Sequence, residues 1–372
     1  MPEIWLRYGS TDVVLDIRFE NLANQISATF PVMPDDQVAA SVANVPFTDN
    51  MLLVALSGSK ASAKIITILA EQARTKGFNF TVDVPQRLAG ALRASLAGNE
   101  TISINRIDYQ SLAERMGKFQ STVMVSNVAY DPLFGFAGAP TVLLRNLFAD
   151  DKMAEAFAAR TNNKPAPGVQ GEPLKVARSA TEGISATSIE LVASSGGIAG
   201  VHMGSINEAF DKAVSQLQSI SVVDTDPVKC AIISAGSETG THSTLATSLN
   251  SLWNTVHTVK EGGSAILVAE NREGLGGGAL QMYIEGRLKQ EQLHLSPYVY
   301  GLEHLLFIEE MRQNVELGLV STLPHYYART KLGFSTYAGM KDILDKLPEK
   351  QGKNFRALVM SDPDIVLLKS KA

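Results

Sequence analysis

The sequence predicts a two-domain α/β protein, each domain a doubly wound sheet flanked by helices. Three observations carry this. A length of 372 residues favours about two domains. Apolar runs of strand length alternate with helical segments of about ten residues through the first third of the chain, the pattern of parallel βαβ units. The same alternation restarts after the turn Asp224 to Pro227. The boundary is therefore placed between 225 and 226. Residues 1–225 form the N-terminal domain, and 226–372 form a Rossmann-like domain whose last strand is allowed to return to the first.

Two short strands open the chain, Ile4 to Tyr8 and Val13 to Ile17, joined at Gly9-Ser10, and a short helix follows Pro34. Met51 to Leu56 is a strand-length apolar run, and Ala61 to Ala73 is helical by period. Asn79 to Val84, Thr101 to Ile107 and Ser121 to Val128 read as further strands, separated by helices at Arg87 to Leu96 and Tyr109 to Met116. Residues 130–142, rich in Gly, Pro and Phe, read as a loop, and the polar stretch 161–180 as an excursion. Ser188 to Ala193 and Ile198 to Met203 form a hairpin, followed by a helix that turns Ile206, Phe210, Ala213, Val214 and Leu217 to one side. Beyond the boundary the strands are Val228 to Ser234, Ala265 to Ala269, Leu317 to Ser321 and Arg356 to Met360. The helices are Thr244 to Val259, closed by Gly262-Gly263, then Ala279 to Leu288, Leu302 to Met311 and Tyr337 to Leu347.

Composition narrows the function classes. Hydrophobic residues make up 45% and charged residues 19%, a balance that excludes global disorder. The formal charge of −5 comes with no Lys/Arg cluster, so neither nucleic acid nor an anionic membrane is an expected partner. The single cysteine, Cys230, excludes an intrachain disulfide and a cysteine-rich metal site. The opening Met-Pro-Glu-Ile-Trp has neither a basic nor an apolar leader region, and no stretch reaches the ~20 apolar residues of a span. A cytoplasmic protein is the expectation.

Three segments can carry chemistry. Ala269 to Ala279, AENREGLGGGA, lies between a strand and a helix. Its Gly274, Gly276, Gly277 and Gly278 allow backbone N–H groups to approach an anion. Gly274-x-Gly276-x-x-Ala279 fits a dinucleotide fingerprint, but no acidic residue closes a following strand ~20 residues on. A glycine turn with no ligand is the alternative. Ser234 to Ser243, SAGSETGTHS, leaves a strand end carrying His242 near Glu238. His242 is either an acid/base or a solvated neighbour of the helix cap at Ser243 or Thr244. Asp131 to Arg145, DPLFGFAGAPTVLLR, is a glycine- and aromatic-rich segment of the kind that is often functional. No histidine precedes His202, and His202, His257, His294, His304 and His325 have no metal-ligand spacing.

Together these segments resemble the nickel-dependent lactate racemase family. The resemblance extends over most of the chain and is strongest in GVHMGSINEAFDKAV, CAIISAG, TVKEGGSAILVAENREGLGG, LGLVSTLP and LGFSTYAGMKDIL. RYGSTDVVLDI resembles the family's opening strand pair. The resemblance implies two α/β domains with a cleft between them. It also implies a nickel pincer nucleotide on a lysine, two proton-transferring histidines and a nickel-ligand histidine, all three histidines in the N-terminal domain. Residue by residue this chain departs from that pattern. Gly138-Ala139-Pro140-Thr141 replaces Gly-Gly-Arg-Lys, so Thr141 stands at the anchoring lysine and Asp131 at a catalytic histidine. The motif Asp-x-Thr-Arg-Pro becomes Leu56-Ser57-Gly58-Ser59-Lys60, leaving Lys60 as a charge replacement, and the substrate-binding Gln and Lys pair falls near Thr247 and Asn250. The glycine loop, Glu273 to Gly277, is kept.

The expectation is a divergent paralogue with no lysine-held pincer, no metal site and no lactate racemisation. It would bind a small anionic metabolite or nucleotide in the cleft, or serve as a subunit of an assembly, with the cofactor unknown. The alternatives are a 2-hydroxy-acid isomerase or epimerase using Lys60, Asp131 and His242, and a dinucleotide-dependent oxidoreductase.

Overall fold

The computed structural model describes residues 3–97, 102–161, 164–235, 242–294, 297–361 and 363–371. Their contacts group into two compact units. One combines the residues up to 28 with those from 221 onward, and the other takes 29–220.

The chain opens with the antiparallel pair β1 (Glu3–Tyr8) and β2 (Thr11–Asp16), then β3 (Leu22–Ile26). In β1 the alternation of Ile4 and Leu6 against Glu3 and Trp5 buries one face and exposes the other. The second unit then begins. It contains α1 (Asp35–Ser41), β4 (Asn50–Ala55), α2 (Lys60–Lys76), β5 (Asn79–Pro85), α3 (Ala89–Ser95), β6 (Ile104–Ile107), α4 (Tyr109–Met116), β7 (Ser121–Asp131) and β8 (Gly135–Ala137). It continues through α5 (Ala139–Leu147), α6 (Asp150–Ala159), α7 (Glu172–Thr181), the hairpin β9 (Thr187–Ser194) and β10 (Gly197–Gly204), and α8 (Ile206–Ser221). The sheet order is β10-β9-β7-β4-β5-β6, with β8 on β7. Successive β4 residues serve opposite faces. Leu53 packs with Val38, Ile65, Leu69 and Leu92, while Leu52 and Val54 pack with Leu112, Leu143 and Leu147. A parallel strand covered on both faces reads as an unbroken apolar run, which is why Met51 to Leu56 was legible.

The chain returns to the first unit through β11 (Val222–Thr225), β12 (Val228–Ser234), α9 (Leu245–Trp253), β13 (Val259–Val268), α10 (Gly278–Ile284), α11 (Leu302–Met311), β14 (Glu316–Val320), β15 (Ser335–Thr336), α12 (Met340–Gln351), β16 (Ala357–Ser361) and β17 (Leu367–Ser370). The order β15-β14-β13-β12-β16-β3 makes all the pairings parallel. Residues 3–26, assigned above to the N-terminal domain, belong here. Ile4, Leu6, Leu15 and Ile17 share a core with Cys230, Ile232, Ile343 and Val359. The last expected strand, β16, which was allowed to return to residues 1–225, sits between β12 and β3.

Three further readings change. Residues 130–142 are not a loop: β7 runs on to Asp131, and Pro140 occupies the first turn of α5, where a missing N–H costs nothing. The stretch 161–180 ends in α7, whose Leu174 and Ala177 are buried. Gly262-Gly263 lie inside β13 rather than after a helix. A Cβ at Gly263 would come within 2.6 Å of Lys229 O, so the adjacent strand requires glycine there. Among the described residues no helix is long and apolar enough to cross a membrane.

One polar contact ties β5 to α4. Asp83, fully buried, accepts from Arg115 Nε and Nη2 at 2.7 Å each, and from Asn105 Nδ2 at 3.2 Å. Arg115→Ala leaves that carboxylate buried without its guanidinium. The expected cost is about 3 kcal/mol, read as a lowered urea midpoint at unchanged slope.

Candidate functional site

In the sheet β15-β14-β13-β12-β16-β3 the chain proceeds from β12 outward through β13, β14 and β15, then returns to the other side of β12 with β16. The carboxyl ends of β12 and β16 therefore flank a topological switch point, where open parallel sheets bind ligands. His242 follows β12 and Asp364 follows β16, and the two meet there. His242 Nε2 contacts Asp364 Oδ2, and Ser251 Oγ, from α9, donates to Asp364 Oδ1 at 2.5 Å. The side chains are only 7% and 12% exposed, so His242 is not a solvated cap neighbour. Asn254 Nδ2 donates to Pro363 O at 2.8 Å, fixing the Asp364 turn on the same helix. Glu238 lies outside the described residues.

Thr247 and Asn250 stand on α9. Thr247 is the third residue of the helix and is occupied with its cap: its Oγ1 donates to Thr244 O at 2.9 Å, and Thr244 Oγ1 accepts from Thr247 N. Asn250, one turn on, is half-buried, and its Oδ1 has no hydrogen-bond partner among the described residues.

The glycine loop folds back onto α9. Leu245 N donates to Gly274 O at 2.9 Å, Ala246 N to Leu275 O at 3.1 Å, and Glu273 N to Ser243 O at 2.9 Å. The first N–H groups of α9 are thus satisfied by loop carbonyls. Gly276 (φ +87°) passes so close that a Cβ would lie 2.8 Å from Thr244 Oγ1. At Gly278 (φ +61°) it would lie 2.1 Å from Tyr300 O. Gly274 and Gly277 also have positive φ. Residues 269–277 separate β13 from α10, so the loop is not the tight strand-to-helix turn of a dinucleotide fingerprint. At its base Asn271, buried with φ +53°, accepts from Ser248 Oγ at 2.7 Å and donates to Ser321 Oγ at 3.1 Å. It joins α9, the loop and the end of β14, a role that a single Asn within AENREG does not announce.

Lys60, Asp131 and Thr141 belong to the unit of residues 29–220. Lys60 opens α2 and is exposed, while the cap residue before it, Ser59, accepts from Ser62 N and from Asn127 Nδ2. Asp131 ends β7 and is 6% exposed. It accepts from Leu133 N and Phe134 N at 2.8 Å and from Arg145 Nη2 at 3.0 and 3.1 Å, with that guanidinium 4.8 Å from the Phe134 ring centre. Both oxygens of this carboxylate accept from donors of its own fold. Thr141, 1% exposed, closes the cap of α5 through Gly138 N and Gly138 O, both at 3.1 Å.

Beside Thr141 lies a group that sequence reasoning passed over. Glu190, fully buried in the middle of β9, accepts from Ala139 N at 2.7 Å. Ser126 stands opposite it on β7 and His202 on β10. Glu190 Oε2, Ser126 Oγ and Ser188 Oγ make no well-formed hydrogen bond among the described residues. Burial pushes the Glu190 carboxyl up to about 8, against the opposing pull of Ala139 N–H and Ser126, so it is largely protonated at neutral pH. An alternating strand pattern would place this residue on a wet face. Gly138 lies close to both Phe210 and Glu190 Oε2, and the carboxyl is fully buried. Cys230 is equally unsuited to thiolate chemistry, its thiol pushed up to about 12 by burial and by Glu316. No group of three His, Cys, Asp or Glu among the described residues is arranged to hold a metal ion.

No family model matches this sequence, and no curated protein matches it significantly. Among solved structures it is similar to the lactate racemase apoprotein of Thermoanaerobacterium thermosaccharolyticum. The TM-score is 0.73 at 14% identity, over 99% of this chain and 100% of that one. A protein of Thermotoga maritima gives 0.66 at 12% identity over 90% and 97%. The chain is an α/β protein of parallel sheets and helices. More particularly, its fold is lactate-racemase-like along its whole length.

The Glu190 shift sets a pH signature. A carboxyl whose folded pKa is raised contributes stability that is full below its unfolded value near 4.5 and is lost as pH rises through about 8. Glu190→Gln removes that dependence. Relative to the wild type, the variant is expected to gain on the order of a few kcal/mol between about pH 5 and about pH 9, measured by urea unfolding at both.

Proposed function

We propose that this chain is a catalytically divergent protein of the lactate-racemase fold that binds a small anionic metabolite or nucleotide, or serves within an assembly, instead of racemising lactate. The commitment of residues 131–141 to their own fold carries this reading. Thr141 stands where the resemblance implies the cofactor lysine. It offers no amine, and its hydroxyl is buried in the cap of α5. Asp131 stands where the resemblance implies a histidine, and it is clasped by Arg145 and two backbone N–H groups. These side chains do not fit a lysine-linked nickel pincer.

A second reading draws on His242. A carboxylate against one imidazole nitrogen is the arrangement that orients a histidine for proton transfer, and Asp364 supplies it. This supports a 2-hydroxy-acid isomerase or epimerase with altered cofactor use.

Intact-protein mass spectrometry of the purified chain separates the readings. The expected mass is that of the 40.0 kDa chain without a covalent adduct, with no interconversion of D- and L-lactate by chiral chromatography. An adduct or racemisation would overturn the binding reading. Interconversion of another 2-hydroxy acid that is abolished in His242→Gln would replace it with the second.

A further inference from the structure

A cavity of about 290 Å³ lies among α10, the turn Gln290–Gln292, α11 and a π-helical turn, Tyr327–Lys331. Its floor is apolar: Leu293, Leu305, Ile308 and Leu332 are buried, and Tyr283 stands at the side. Arg312 and Lys331 border it, and neither pairs with a carboxylate among the described residues. Arg312 is exposed, and two features border its guanidinium. Arg312 Nη1 reaches Leu332 O at 3.5 Å, and the group lies against Gly333, where a Cβ would fall 2.1–2.5 Å from it. Gly333, at φ +74°, therefore both closes the π turn and leaves room for the cation. The bordering acid, Glu309, is already engaged, accepting from Gln290 Nε2 at 3.0 Å and contacting His294 Nε2 at 3.2 Å. The π turn, a rare form that concentrates at functional sites, brings Lys331 to the edge that Arg312 also borders.

We propose that this cavity binds a small monocarboxylate with a branched or aromatic apolar body, its carboxylate on Arg312 and Lys331 and its body on the leucine floor. A planar guanidinium fork matches a carboxylate. The volume stands at the small end of ligand sites and suits a small ligand. The site is independent of the binding reading above, since it uses none of the residues 131–141 or 269–277.

The test uses the full chain with isocaproate as probe and isocaproamide, its uncharged equivalent, as control, followed by saturation-transfer NMR and calorimetry. Saturable binding of the acid is expected, with the amide at least about tenfold weaker. Arg312→Gln and Lys331→Gln are each expected to weaken the acid about fivefold or more while leaving the amide unchanged, with circular dichroism confirming that both variants fold. Equal binding of acid and amide, insensitivity of the acid to both variants, or no saturable acid binding would each overturn the proposal.

Discussion

Parallel pairing of Leu22–Ile26 with Ala357–Met360 joins segments more than three hundred residues apart, and the sheet of the first unit depends on it. Without β3, β16 would present an open edge beside the central strand β12. The pairing commits the first 28 residues to the same unit as the last 150 or so and leaves 29–220 as a unit within the chain. It also brings the β1–β2 hairpin over Cys230, Ile232 and Val359, so the opening strands act as a lid on that core. A second parallel pair, β11 with β17, joins the start and the end of the segment from 221 onward.

At the strand ends, polar groups serve the fold first. The glycine loop gives its carbonyls to the first amides of α9. Thr247 and Thr141 each close a helix cap, and Asp131 holds a hairpin and a guanidinium together. Groups satisfied in this way are poor candidates for chemistry, because a reacting partner would first have to displace a native hydrogen bond. The His242–Asp364–Ser251 contact at the switch point and the buried Glu190 under α5 differ from them. In each, a titratable group sits in low dielectric with polar neighbours arranged around it.

Much of the fold was legible because parallel strands buried on both faces are unbroken apolar runs. Met51 to Leu56 shows this throughout, Val123 to Val125 and Cys230 to Ile233 show it at the centres of their strands, and the caps of α2 and α9 follow ordinary hydroxyl chemistry. LANQI was not legible as β3, because an edge strand keeps polar side chains and draws its stability from a ladder that a distant partner supplies. The start of α5 was hidden for a related reason. Gly138 and Pro140 look like loop residues until a first-turn proline is placed in a helix. At the strand ends, the places of His242 and the glycine loop in the chain were legible and their surroundings were not. His242 and the glycine loop were singled out because each follows the end of a strand. That the loop caps α9, that the His242 side chain is largely covered, and that Asp364 and Ser251 complete its surroundings depend on contacts between elements.

Period, turn chemistry and composition, all local properties, settled the α/β class, the alternation of elements and the absence of histidine before His202. Which strand neighbours which, and hence which carboxyl is buried and which hydroxyl is spent on a cap, was settled only when the chain closed β3 onto β16 and packed β9 against β7. The physical reason is that desolvation and hydrogen-bond satisfaction belong to an environment assembled from distant segments, so no residue's neighbours in sequence can report them.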